Sequence, residues 1–211
     1  MLTETWLRDS IFNREFCDNR YDVFRCDRNA LTSNKLDGGG VCIATLKSSD
    51  YSVFNRVEWN YNSVENLWIT IRPHKGGSSI HINCVYIPGD IEAEKFEAFL
   101  DNVNNRISES RNEKDIFIIA GDFNVPDFTK NTMTSKKSKL LQEMMEDSNL
   151  KQLSNIRNES ASNNLLDLIF SNRYFRVEAC QDSISKIDIY HPPLTFSVSS
   201  KFPKAPVEKI F

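Results

Sequence analysis

Apolar and polar positions follow two different periods along this chain. Val41 to Leu46, behind Gly38-Gly39-Gly40, and Val53 to Trp59, Leu67 to Ile71 and Ile80 to Ile87 are short runs rich in β-branched and aromatic residues. Glycine-punctuated runs of this kind predict strands, and Gly76-Gly77-Ser78 predicts a hairpin loop between the last two. From Ile91 to Ile107 the period lengthens: Phe96, Phe99, Leu100, Val103 and Ile107 fall three or four apart, one apolar stripe on a charged helix. A second helix is predicted from about Ser135, with Ser135 or Thr134 as N-cap and Leu140, Leu141, Met144 and Met145 on one face. Strand patterns return at Leu165 to Phe170, Phe175 to Cys180 and Leu194 to Val198. Many strands with few helices predict two packed sheets with helices outside them, an α/β sandwich over residues 1–200. Lys201 to Phe211, with Pro203 and Pro206, reads as a tail or linker.

One run carries chemistry. Ile116-Phe117-Ile118-Ile119-Ala120 is continuously apolar and stops at Gly121-Asp122-Phe123-Asn124-Val125-Pro126. Alternate residues of an extended chain point the same way, so Asp122 and Asn124 can aim at one place past the end of the strand. That edge is where α/β proteins usually bind their ligands. The alternative is an Asx turn, since both residue types are common after strands. Asp167 sets a carboxylate into the apolar run Leu165 to Phe170, where it needs a partner or an exposed edge.

At 211 residues with 40% hydrophobic content, one soluble-type core is expected. No apolar stretch reaches the length of a membrane span, and Met1 to Ser10 has no signal-peptide pattern. Cys17, Cys26, Cys42, Cys84 and Cys180 are odd in number and scattered, which predicts reduced thiols with no disulfide partner and no cysteine metal site. A net charge of −3 gives no field that holds a polyanion by itself, so a nucleic acid would be gripped locally or through cations. Lys136, Lys137 and Lys139 are either a phosphate contact or a solvated face.

Read in order, Thr3-Glu4-Thr5-Trp6-Leu7, Arg25-Cys26-Asp27-Arg28, Gly38-Gly39-Gly40-Val41, Val85-Tyr86-Ile87-Pro88, Ala120-Gly121-Asp122-Phe123-Asn124, Asn164 to Phe170 and His191-Pro192-Pro193-Leu194 form a series. It resembles the endonuclease domain of jockey-like non-LTR retrotransposons, within the endonuclease/exonuclease/phosphatase superfamily. The resemblance spans about residues 2 to 200. It implies a DNase I-like, four-layered α/β sandwich and a magnesium-dependent endonuclease acting on DNA, with manganese as a substitute metal. It further implies Glu4 as metal ligand, Asp122 and Asn124 on the attacking water and scissile phosphate, Tyr86 on the phosphate, and Asp167 orienting His191. An intracellular protein with access to the nucleus follows from that substrate. Arg25, Asp27 and Arg28 are expected to make an ion pair or a DNA-backbone contact without a catalytic role, and His74 and His81 are expected at the surface.

The series departs from the family pattern in three places. The family has an earlier strand with an asparagine near the metal; the Ser-Asp-His closing motif is replaced by Asp188-Ile189-Tyr190-His191; and Gly89 stands where relatives carry asparagine. These departures bear on metal affinity and rate more than on fold. They keep open a catalytically inactive remnant that binds nucleic acid or protein, and a small-molecule or lipid phosphatase of the same superfamily.

Overall fold

The computed structural model describes residues 1–29, 35, 37–61 (backbone only from 55), 64–110, 112–129, 133–157, 164–180 and 191–200. The predicted tail and the Asp188 to Tyr190 motif lie outside them.

The elements run β1 (Leu2–Thr3), α1 (Asn13–Phe16), β2 (Tyr21–Cys26), β3 (Val41–Leu46), β4 (Tyr51–Tyr61), β5 (Val64–Pro73), β6 (Ile80–Tyr86), α2 (Ala93–Ser108), β7 (Ile116–Asp122), α3 (Lys136–Asp147), β8 (Lys151–Gln152), β9 (Asp167–Ser171), β10 (Val177–Ala179) and β11 (Leu194–Phe196). They form a three-stranded sheet, β1-β3-β2, a six-stranded sheet, β4-β5-β6-β7-β9-β8, and a ribbon, β10-β11. Within the six-stranded sheet only β6 and β7 run parallel, joined by the α2 crossover.

Two apolar layers hold the sandwich together. On one face of the six-stranded sheet Leu67, Ile69, Cys84 and Tyr86 meet Cys26, Val41 and Ile43 of the smaller sheet. Beside them Ile116, Ile118, Ala120 and Ile169 pack on the β10-β11 ribbon through Phe175, Val177, Leu194 and Phe196. The opposite face, with Trp68, Val85, Phe117, Ile119 and Phe170, is covered by Phe96, Phe99, Leu100 and Val103 of α2 and Leu141 and Met144 of α3. Covering both faces explains why β7 reads as an unbroken apolar run and why β5 is buried continuously from Val64 to Thr70 instead of alternating. The fourth layer is thin. It is the one-turn α1 and its flanks, tied to the outer side of β2 where the Arg25 guanidinium donates to the Ile11 and Arg8 carbonyls and pairs with Asp27.

Ser135 is the N-cap of α3, its hydroxyl accepting from the Ser138 N–H at 3.1 Å. Several expectations shift. Asp167 opens β9 instead of interrupting a strand, and β9 is an interior strand because β8 pairs beyond it. The Phe175 and Leu194 segments leave the main sheets for a ribbon of their own. His74 is exposed as expected, whereas His81 lies against Phe117 with ring centroids 4.6 Å apart and bonds Asp115. All five cysteines are free thiols, and burial pushes Cys42 and Cys84 up to about 11. Among the described residues no helix is long and apolar enough to cross a membrane.

Candidate active site

Strand register builds the site. Glu65 pairs with Tyr86, Tyr86 with Asp122, and Asp122 with Asp167, so four polar side chains stand on neighbouring strands of one sheet face. This row faces the smaller sheet and the ribbon, at the end of β7. Gly121 makes the approach possible: at φ 152° an added Cβ would sit 1.8 Å from the Val85 carbonyl oxygen.

Asp122 is 2% exposed and lies between two partners of opposite effect. Asn124, at φ 51°, folds back so that its N–H reaches Asp122 Oδ1 at 3.1 Å and its carboxamide Nδ2 reaches Asp122 Oδ2 at 2.8 Å and the Ile87 carbonyl at 2.9 Å. Both amide protons are engaged, so Asn124 orients the Asp122 carboxylate. Burial, then the neighbouring Asp167 charge, pushes the Asp122 carboxyl up to about 7, against the opposing pull of His191.

His191 closes the site from just ahead of β11. Its Nδ1 lies 3.0 Å from Asp167 Oδ2, which directs Nε2 towards Asp122 Oδ2 at 3.9 Å. Ligand atoms of Asp122, Asp167 and His191 lie within 4.8 Å of one another. Two carboxylates this close, one of them buried and driven towards neutrality, form a donor set that a hard divalent cation would satisfy.

Glu4 comes from the facing sheet. Burial, then the nearby Glu4 carboxylate, holds the Tyr86 phenol well above its ordinary value. Glu4 also adds to the negative potential on Asp122. The structure thus brings Glu4, Tyr86, Asp122, Asn124, Asp167 and His191 together, while the compact Asp122-Asp167-His191 group does not include the expected ligand Glu4.

Glu65 escaped the sequence reading, whereas Arg28, expected to make an ion pair or a DNA-backbone contact, pairs with it. Arg28 is nearly enclosed, with Nε 2.7 Å from Oε1 and Nη2 3.2 Å from Oε2 of the fully buried Glu65. Its guanidinium carbon also lies 5.5 Å from the centre of the Tyr86 ring. Nothing local marks Glu65 as buried, since it sits in Val64-Glu65-Asn66 as a solvent-facing glutamate would. Among the lysines, Lys136 bridges to Glu94 and Glu97 of α2, while Lys137 Nζ donates to the Gly89 carbonyl at 3.0 Å.

The comparisons fit this arrangement. A family model described as endonuclease-reverse transcriptase matches residues 80–195, more than half of the chain. The chain belongs to that family. Its span runs from β6 to β11 and contains Tyr86, Asp122, Asn124, Asp167 and His191. No curated protein matches the sequence. Among solved structures, the endonuclease domain of TRAS1, a telomere-specific non-LTR retrotransposon, aligns at TM-score 0.59 and 15% identity over 87% of this chain and 80% of that one. The catalytic domain of human Nocturnin aligns at 0.57 and 13% identity over 92% and 79%. The Bacteroides thetaiotaomicron mannosyl-6-phosphatase Bt3783 aligns at 0.56 and 13% identity over 85% and 77%. At such identities the likeness is one of fold, the endonuclease/exonuclease/phosphatase sandwich.

Proposed function

We propose that this chain is a magnesium-dependent endonuclease that hydrolyses DNA phosphodiester bonds. The observation that carries the reading is the meeting of Asp122, Asp167 and His191 at one strand end, beside Tyr86 and Glu4. Glu4, with the carboxylates facing it, would hold Mg2+ or Mn2+, which when bound supplies positive charge to the phosphoryl oxygens and acidifies water.

The protein's own groups divide the remaining work. Asp122, a buried carboxyl with a value near 7, takes the proton of the attacking water, which a carboxyl of ordinary acidity would do less effectively at neutral pH. Asn124 fixes the direction of that carboxylate. Asp167 holds the His191 ring so that Nε2 faces the reacting phosphate, where an imidazolium stabilises developing charge on its oxygens. Tyr86, beside Glu4, would donate its hydroxyl to the phosphate. The family description and the TRAS1 fold favour nucleic acid over a phosphosugar as substrate.

Nicking of supercoiled plasmid tests this. Conversion to the open circle is expected with magnesium, none with EDTA, and about 10³-fold less with Asp122→Ala. Equal nicking by wild type and Asp122→Ala would reject the site, and hydrolysis of a phosphosugar without nicking would move the protein to the phosphatases.

A further inference from the structure

Glu4 and Trp6 are both held at positive φ, 50° and 55°. For a bulky aromatic residue this region is strained, and such strain persists only where surrounding contacts impose it. Here the Thr5 and Trp6 N–H groups donate to the Gly40 and Gly39 carbonyls at 3.2 and 3.0 Å. The glycines permit that close approach: a Cβ on Gly40 would lie 2.7 Å from Thr5 Oγ1, and one on Gly39 2.4 Å from Arg28 Nη2. The backbone is therefore fastened, yet the indole it presents is 60% exposed.

Its position is informative. Trp6 Cε2 and Arg28 Nη1 lie 3.9 and 3.4 Å from one point, that of a Cβ built on Gly38, and the same guanidinium covers the Tyr86 ring. The Arg28 guanidinium thus lies near both the exposed indole and the proposed phosphate-binding tyrosine. Packing among the described residues does not account for an aromatic surface left in water on a strained, doubly hydrogen-bonded backbone.

We propose that Trp6 is a stacking platform for a base of the bound nucleic acid, next to the phosphate held at Tyr86. The inference rests on the nuclease reading of the site. Stacking on an aromatic ring is tolerant of base identity and favours a base already unpaired or easily lifted from the duplex. Trp6 would accordingly set affinity and local preference while leaving the chemistry to the carboxylates.

The test uses the full chain, a short duplex oligonucleotide and the same duplex with one abasic gap opposite an unpaired base, with calcium in place of magnesium so that binding is read without cleavage. Tryptophan emission is expected to be quenched on binding, more strongly by the gapped duplex, and Trp6→Phe should remove the quench while keeping most of the affinity. Trp6→Gly relieves the strained φ, so it is expected to melt no lower than wild type and yet to raise Kd about 10-fold or more. Unchanged Kd in Trp6→Gly, or unchanged emission on saturation, overturns the platform. Metal-dependent nicking that needs Asp122 but is indifferent to Trp6 would remove this inference alone. Quenching and lost affinity without any cleavage would keep it and remove the nuclease reading.

Discussion

The two ends of β7 carry the same pair of residue types in opposite circumstances. At one end His191 bonds Asp167 at 3.0 Å, and about 20 Å away His81 bonds Asp115 at 3.2 Å. Asp115 also accepts from the Ser79 N–H, the Ser110 hydroxyl and the Asn112 amide, while His81 Nδ1 meets the Thr70 hydroxyl. Every further hydrogen-bond partner there is neutral, while Arg106 and Arg72 add positive potential at His81. At the other end a second carboxylate, Asp122, is driven against the first. A histidine-aspartate contact is therefore not by itself a sign of chemistry; uncompensated charge around it is.

The sharpest break in the comparison is catalytic. His191→Ala is expected to slow plasmid nicking about 10³-fold, whereas His81→Ala should stay within about twofold of wild type. Comparable losses from both would mean the two ends are not distinct in function.

Stability should show the reverse order. Asp115→Ala leaves four donors without their acceptor and is expected to cost about 3 kcal/mol in denaturant unfolding. A cost well below 1 kcal/mol would deny that end its structural role.

The two ends also respond to pH with opposite signs. In metal-free protein the Asp122 carboxyl is raised from 3.8 to about 7, so the native state binds a proton that the unfolded chain releases in between. Stability then rises as pH falls through that window. Asp122→Asn should flatten this slope and stabilise the metal-free protein at pH 8 by on the order of 2 kcal/mol. Burial lowers His81 from 6.5, so its contribution is intact above that value and is lost as pH falls below it. Denaturant titrations in EDTA across pH 4 to 8 check both; a steeper slope in Asp122→Asn would contradict the first.

Legibility in the sequence followed locality. The α2 stripe and the Ser135 cap were readable because helix period and capping are settled within a few residues. Asp122 and Asn124 were readable because an apolar strand stops at them. By contrast β1 and β8 are two residues long, too short to show a period, and Asp22 and Arg25 interrupt the apolar pattern of β2 with charge. Asp167 stood out as a carboxylate in an apolar run, but its partner His191 only through motif order, since their contact joins residues 24 apart. His81 was misplaced because a glycine-rich loop nearby suggests exposure, whereas its burial comes from Phe117 and Asp115 on another strand.

Glu4 and His191 stand almost the whole described chain apart, yet both belong to one constellation fed by strands from two sheets. Contacts of such separation form late, because the loops between them must close first. A nascent or half-folded molecule would therefore lack the assembled constellation. The proposed site would be complete only once both sheets and the ribbon have docked.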